Sequence, residues 1–208
     1  PVGTGGTVSA RYCYSVFMRH RVIAAQYGMT QPPSTVVELG PGDSLGIGLM
    51  AILTGSQHYI AIDAVRHANT ATNLAVFDEL VTLLMNRTPI PFDGECAAIR
   101  PELIEYGFPH ALFDQDYLSA ALSTQRLSAI RQALINPSRD GLIQYYAPLG
   151  EMSGISAGSI DWIFSQAVLE HVDELEETYR QCFRCLRSGG FMTHQIDYQC
   201  HETAKEWN

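Results

Sequence analysis

VVELGPGDSLGIG, residues 36–48, is the stretch that decides the fold. Its first four positions are apolar apart from Glu38, which is typical of a buried β-strand. Gly40 and Gly42 then predict a tight turn, because glycine adopts left-handed backbone conformations without steric cost. Residues 45–53 continue as an apolar helix. A strand, a glycine turn and a helix N-terminus together form a site for the polar end of a ligand.

The alternation of strands and helices continues along the chain. The predicted strands are 35–39, 59–62, 141–146, 160–165 and 191–196, and the predicted helices are about 10–28, 44–53, 69–85, 115–121, 124–135 and 174–187. This order indicates an α/β fold with a doubly wound, mostly parallel sheet. Residues 67–140 carry helices only, so we expect a helical insertion between strands 2 and 3.

Local signals mark the boundaries of the last predicted helix. Asp173 is its predicted N-cap, and Glu176 completes a capping box. The Ser-Gly-Gly stretch at 188–190 predicts the end of the helix, since glycine favours the C-terminal stop. The face predicted to be buried consists of Leu175, Tyr179, Cys182 and Leu186.

Composition limits the class of protein. The chain has 208 residues, is 46% hydrophobic and carries a formal net charge of −9, which suits one globular domain and disfavours a nucleic-acid partner. No run approaches the ~20 apolar residues that span a bilayer. Five scattered cysteines indicate reduced thiols rather than a disulfide framework. We therefore expect a cytoplasmic protein with no nucleic-acid or membrane partner.

The charges around the glycine turn select among its usual ligands. No Gly-Lys-Ser/Thr follows the turn, which excludes a triphosphate-binding loop. A dinucleotide fingerprint needs its third glycine at the position of Leu45. Glu38 and Asp43 would repel a pyrophosphate, whereas they suit a ligand with an ammonium and a sulfonium group. The alternative is a turn that only connects two elements.

Asp63 ends the second predicted strand. An acid at this point is the usual partner of both hydroxyls of an adenosine ribose, because a carboxylate accepts two hydrogen bonds at once. The alternative interpretation of Asp63 is an N-cap for the next helix.

Three segments in combination resemble the class I S-adenosylmethionine-dependent methyltransferase family. VVELGPGDS is similar to its first motif and YIAID, at 59–63, to its second. SIDWIFSQAVLEHV, from 159, and CLRSGGFM, ending at 192, are similar to its fourth strand, the following helix and its fifth strand. The resemblance implies a Rossmann-like fold with S-adenosylmethionine bound across the ends of the first, second and fourth strands.

The resemblance also implies which residues bind the cofactor. They are Tyr14, Glu38, Gly40, Pro41, Gly42, Asp43, Asp63, Ala64, Ser165 and Gln166. The turn would line the methionine moiety, Asp63 the ribose, and the residues that end the fourth strand the face below the sulfonium. The N-terminal helix would act as a lid, with Tyr14 or Tyr12 closing over the cofactor. Its other interpretation is an amphipathic helix that covers the sheet.

The sequence departs from the family pattern in three places. Where the family often has an acid or amide for adenine, this chain has Ala147 and Pro148, with Glu151 as a weak substitute. The 67–140 insertion is interpreted as extra helical cover, as a homodimer surface or as a wall of the acceptor pocket. Few residues follow the fifth strand, so we expect the last family strands to be missing. The predicted division is a helical cap at 1–33 and a cofactor-binding domain at 34–208.

THQIDYQCH, residues 193–201, leaves the fifth predicted strand at the edge of the sheet where ligands bind. His194 in this stretch and His171, from the loop after the fourth strand, are candidate general bases for an acceptor hydroxyl, because histidine exchanges protons near neutral pH. Asp197 would orient one of them. The alternative is that both histidines are buried hydrogen-bonding residues.

Two groups of residues have the composition of a metal site. Cys182 and Cys185 form a CxxC, but Cys182 lies on the face predicted to be buried, which favours a packing role. His194, Asp197 and His201 have a spacing that fits no strong metal signature. We therefore predict no metal.

The family resemblance implies an S-adenosylmethionine-dependent methyltransferase. We expect it to act on a small-molecule acceptor, at an oxygen of a sugar or secondary metabolite. Two alternatives stay open: a non-catalytic cofactor-binding scaffold, and an aminopropyltransferase or oxidoreductase of the same fold.

Overall fold

The computed structural model describes residues 6–138, 140–147, 154–200 and 205–206. Its centre is a five-stranded parallel sheet in the order β3-β2-β1-β4-β5. The strands are β1 (Thr35–Leu39), β2 (His58–Ile62), β3 (Ile143–Tyr146), β4 (Ile160–Gln166) and β5 (Leu186–Gln195). The strand order reverses between β1 and β4, which confirms the predicted doubly wound α/β sheet. The positions Pro148, Glu151 and His201, which the sequence analysis considered, lie outside the described residues.

Six α-helices in the described residues connect and cover the strands. They are α1 (Ala10–Gln26), α2 (Gly46–Leu53), α3 (Thr70–Met85), α4 (Gln115–Ala121), α5 (Thr124–Ile135) and α6 (Leu175–Cys185). The described residues between β2 and β3 contain α3, α4 and α5 and no strand, so the predicted helical insertion is confirmed. After β5, the two-residue strands β6 (Gln199–Cys200) and β7 (Lys205–Glu206) pair antiparallel. Of the helices in the described part of the chain, none combines the length and apolar character that a membrane crossing requires.

Helix α1 packs into the same hydrophobic core as the sheet, against α2 and α3. It begins at Ser9, whose hydroxyl caps the first turn by accepting a hydrogen bond from the backbone of Tyr12. Its two buried guanidinium groups donate to backbone carbonyls, Arg19 to Pro101 at 2.7 Å and Arg21 to Met29 at 2.6 Å. Burying these charges is therefore offset by hydrogen bonds that tie α1 to its surroundings.

The junction between α6 and β5 differs from the sequence prediction. Helix α6 ends at Cys185 and β5 follows at once, so the Ser-Gly-Gly stretch at 188–190 lies inside the strand. The pairing of β5 with β4 is irregular between Ile160 and Trp162. Gly189 adopts φ 74° in this irregular region. The predicted helix stop at 188–190 is wrong, because these glycines serve a strand irregularity instead.

The first turn of α6 also differs from the prediction. The N-cap is Glu174 rather than Asp173, and its side chain makes no capping hydrogen bond. Leu175 is 39% exposed, so its predicted burial is wrong. The fully buried positions of the helix are Thr178, Cys182 and Cys185. Burial raises the pKa of the Cys182 thiol to about 11, which suits an inert packing residue.

The register of the three central strands brings their carboxyl ends level. Leu39 at the end of β1 pairs with Ile62 of β2 and with Ser165 of β4. The glycine turn, Asp63 and Gln166 are the next residues along the three segments. They therefore meet at one edge of the sheet, at the point where the strand order reverses.

Candidate functional site

A cleft of about 480 Å³ opens at this edge of the sheet. Four segments wall it: the residues before and at the start of α1, the glycine turn, the loop after β2 and the turn after β4. Its lining residues are Gly6, Thr7, Tyr12, Gly40, Pro41, Gly42, Ile62, Asp63, Ala64, His67, Gln166, Ala167, Val168, His171 and Val172. The residues predicted from the sequence that line it are Tyr12, Gly40, Pro41, Gly42, Asp63, Ala64, Gln166 and His171.

The glycine turn brings bare backbone to the cleft. Gly40 has φ 66° and Gly42 has φ 72°, both in the left-handed region that favours glycine. The N–H of Gly40 donates to the carbonyl of Ile62 at 2.8 Å, which ties the turn to β2. A Cβ at Gly40 would lie 2.5 Å from a methyl group of Val168. The turn therefore needs glycine at Gly40 for two independent reasons, backbone conformation and space.

Asp63 presents its carboxylate to the cleft. Oδ2 accepts a hydrogen bond from the N–H of Gly42 at 3.4 Å, and Oδ1 accepts one from the N–H of Ala64 at 2.7 Å. Each oxygen of an ionised carboxylate has two acceptor sites, so each retains capacity for a further donor. The bonds to the backbone orient the side chain and leave it able to receive two ligand hydroxyls.

Glu38 does not reach the cleft. Its side chain is buried, at 2% exposure, and accepts hydrogen bonds from the hydroxyl of Tyr59 and from the N–H of Gly48 at 3.1 Å. Burial raises the pKa of Glu38 to about 8, although the bonds from Tyr59 and Gly48 act in the opposite direction. The expectation that Glu38 supplies negative charge at the turn is therefore corrected. Asp43 is half-buried in the turn and does not line the cleft.

Tyr12, rather than Tyr14, stands at the cleft. Tyr14 is fully buried and its hydroxyl donates to the carbonyl of Thr88 at 2.7 Å, so it cannot close over a ligand. The assignment of Tyr14 to the cofactor is corrected. The preceding Thr7 fixes this wall, because its hydroxyl accepts a hydrogen bond from the N–H of Ser44 at 3.2 Å and its carbonyl accepts one from the Ser44 hydroxyl.

The turn after β4 forms the opposite wall. Ala167 has φ 52°, an unfavourable conformation for a residue with a Cβ, and its N–H donates to the carbonyl of Gln195 at 3.0 Å. His171 ends the short 3-10 turn that follows, where it is exposed. The backbone N–H of Asp197 donates to the carboxylate of Glu170 at 3.2 Å, which places the segment after β5 beside the residue preceding His171.

His194 lies in a second space, which we name the β5 cavity. This cavity has about 600 Å³ and runs along β5 and α1; its lining residues are His20, Ile23, Ala24, Tyr27, Arg100, Pro101, Phe191, Met192, Thr193, His194, Gln195, Ile196 and Tyr198. Nδ1 of His194 lies 2.8 Å from the hydroxyl of Ser165, which is itself fully buried. Burial lowers the pKa of His194 to about 4. The structure therefore does not bring His194 and Ser165 to the cleft that contains His171.

The family comparison agrees with this geometry. Residues 105–193 match a family model described as a methyltransferase domain. The resemblance to class I S-adenosylmethionine-dependent methyltransferases is confirmed. The matched stretch includes β4, the turn after it and most of β5. No curated protein matches the chain.

Several solved structures are similar to this chain. They include an S-adenosylmethionine-dependent methyltransferase from Mesorhizobium loti (13% identity, TM-score 0.41, 86% of this chain and 52% of that one). A second is the YcgJ protein from Bacillus subtilis (12% identity, TM-score 0.43, 86% of this chain and 50% of that one). A third is described as a putative S-adenosylmethionine-dependent methyltransferase from Methanococcus maripaludis (13% identity, TM-score 0.44, 89% of this chain and 58% of that one). The chain spans about half the length of these proteins.

Several residues that line the cleft were missed by the sequence analysis. They are Gly6, Thr7, Ile62, His67, Ala167, Val168 and Val172. VLEHV, residues 168–172, supplies Val168, His171 and Val172 to the cleft, although the sequence predicts only the histidine as a site residue. The contact of Val168 with Gly40 links residues far apart in the chain, so no local pattern reveals it. Among the described residues, no group of three or more His, Cys, Asp or Glu side chains could hold a metal ion.

Proposed function

We propose that the protein binds S-adenosylmethionine in the cleft and transfers its methyl group to a small-molecule acceptor, at an oxygen of a sugar or another hydroxylated metabolite. One observation carries this proposal: among the described residues that line the cleft, Asp63 is the only Asp, Glu, Lys or Arg. A pyrophosphate would meet a carboxylate with no basic side chain to offset it. A sulfonium cation would instead be attracted.

Asp63 and the glycine turn are the groups that fit this cofactor. The remaining acceptor sites of the Asp63 carboxylate suit the two hydroxyls of a ribose. Gly40 and Gly42 present backbone without side chains, so the methionine moiety can approach closely. When bound, the cofactor supplies an electrophilic methyl group on sulfur. The protein then contributes mainly the alignment of acceptor and methyl group.

His171 is the proposed general base. An acceptor hydroxyl must lose its proton on methylation, and a histidine within the cleft can receive it. His171 lines the cleft, whereas His194 lines the β5 cavity. Asp197 remains a proposed orienting residue, since its backbone is bonded to Glu170 next to His171.

Incubation of the protein with labelled S-adenosylmethionine and a panel of hydroxylated small molecules tests this function. We expect the label to appear in an acceptor whose mass has increased by one methylene group. Transfer of an aminopropyl group, or hydride exchange with a nicotinamide, would contradict the proposal. Binding of S-adenosylmethionine without transfer to any acceptor would favour the non-catalytic scaffold.

A further inference from the structure

A hydrogen-bond chain of four side chains leads from the core to the wall of the cleft. The indole Nε1 of Trp162 lies 2.9 Å from the hydroxyl of Thr193, and this hydroxyl lies 2.9 Å from Nδ1 of His20. Nε2 of His20 lies 3.0 Å from Oε1 of Gln166. His20 is 3% exposed and belongs to α1, whereas Gln166 lines the cleft. This hydrogen-bond chain therefore connects α1 with the proposed ligand site.

Each hydrogen bond in this chain has a defined direction. The indole N–H of Trp162 can only donate, so the Thr193 oxygen accepts it. Gln166 Oε1 can only accept, so Nε2 of His20 must carry a proton. Burial, reinforced by the nearby His194, lowers the pKa of His20 to about 4, although its bond to Gln166 acts in the opposite direction. His20 is then neutral at pH 7, and its Nδ1 accepts a hydrogen bond that the hydroxyl of Thr193 donates.

We propose that His20 is a positioning residue that holds Gln166 with its amide NH₂ group toward the cleft. Oε1 of the Gln166 amide is bonded to Nε2 of His20, and Gln166 lines the cleft, so its NH₂ group is the part of the amide that can donate to a bound ligand. The Gln166 amide therefore donates a hydrogen bond to an oxygen of the bound ligand, which acts as the acceptor. The oxygen belongs either to the cofactor or to the methyl acceptor. This inference rests on the proposed function for the identity of the ligand. The donor and acceptor directions of the hydrogen bonds do not depend on that function.

The proton position on His20 tests the direction independently of any ligand. In protein labelled with 15N-histidine, the Nε2–H and Nδ1–H tautomers give different nitrogen shifts, and His20→Gln identifies the resonance. We expect His20 to be neutral at pH 7 with its proton on Nε2. A proton on Nδ1 would require the Gln166 amide to be reversed, with its carbonyl toward the cleft, and would overturn the proposal. This result does not depend on whether the protein is a methyltransferase.

Gln166→Glu tests the donor itself. The substitution keeps an oxygen for His20 and replaces only the NH₂ group, so we expect ligand binding to weaken by about tenfold or more. A raised Kd for S-adenosylhomocysteine would assign the oxygen to the cofactor. An unchanged Kd with a raised KM for the acceptor would assign it to the methyl acceptor. The exposed Gln57→Glu adds the same charge away from the cleft and serves as the control. Unchanged Kd and KM for Gln166→Glu would overturn the proposal.

Two substitutions of His20 separate positioning from packing. His20→Phe fills the buried site but makes no hydrogen bond, whereas His20→Gln offers one amide donor to Gln166 and one acceptor to Thr193. We expect His20→Phe to weaken the same constant that Gln166→Glu weakens, and His20→Gln to restore at least half of the loss on a logarithmic scale. Equal losses in both variants, scaling with their lowered Tm, would show a packing role and contradict the proposal.

Discussion

The cleft and the β5 cavity differ in chemistry more than in size. The β5 cavity is the larger, about 600 Å³ against 480 Å³. Its described lining is mostly apolar and contains no acidic side chain. The cleft combines a carboxylate, two glycines in left-handed conformations and the ends of three strands. The polar groups that line a cavity therefore identify the ligand site better than its volume does. The cleft is the better candidate although the β5 cavity is larger.

The two histidines illustrate this difference. His194 is half-buried and bonded to Ser165, and its Nε2 has no partner among the described residues. His171 is exposed at the cleft wall. A histidine that is held neutral by burial contributes to packing, whereas an exposed histidine in the cleft can contact a bound ligand.

The largest effect is expected at Gly40. Gly40→Ala forces a Cβ into a left-handed conformation, which costs about 1–2 kcal/mol, and places it against Val168. We expect affinity for S-adenosylhomocysteine to fall below detection in calorimetry, because the turn must move to admit the methyl group. Gly158→Ala is the matched control, since Gly158 has φ 65° and open space around it. It should lose similar backbone stability and keep full affinity. Equal affinity in both variants would show that the turn does not touch the ligand.

Substitution of the two histidines should give opposite results. His171→Ala is expected to lower turnover by about tenfold or more, or ~1.4 kcal/mol of barrier, with little change in unfolding free energy because the residue is exposed. His194→Ala is expected to lower the unfolding free energy by about 1–3 kcal/mol and to leave turnover of the folded protein within about threefold. Steady-state kinetics and chemical denaturation of both variants measure these effects. Loss of turnover at unchanged stability in His194→Ala would return the catalytic role to His194.

A smaller effect concerns Glu38, the buried acid of β1. Its folded pKa of about 8 exceeds the ordinary value of 4.5, so the folded protein binds more protons than the unfolded chain between these pH values. Stability from this group is full below pH 4.5 and falls as pH rises toward 8, by at most about 1.4 kcal/mol per pH unit. Chemical denaturation of the wild type and Glu38→Gln across this range should show this fall in the difference between their unfolding free energies, because the buried histidines His20 and His194 contribute equally to both proteins. A parallel pH dependence in both proteins would contradict a neutral Glu38.

The sequence predicts the parts of the molecule that depend on neighbouring residues. The strand, glycine turn and helix around Gly40 form one local unit, and so does the helix from Thr70 to Met85. The direction of a side chain is decided by partners far along the chain. Glu38 turns toward Tyr59, and Tyr14 toward Thr88. No pattern within either segment contains these partners. For this reason both residues were predicted, wrongly, to contact the ligand.

Calorimetric titration of the protein with S-adenosylhomocysteine and with NAD tests the central claim, that this cleft is a cofactor site selected by one carboxylate. We expect binding of S-adenosylhomocysteine and none of NAD. Asp63→Ala should weaken this binding by about 1–3 kcal/mol, the value of charge-assisted hydrogen bonds to the ribose, whereas the exposed Asp116→Ala should leave it unchanged. Binding of NAD without binding of the sulfur nucleoside, or equal affinity of the Asp63→Ala variant and the wild type, would contradict the account.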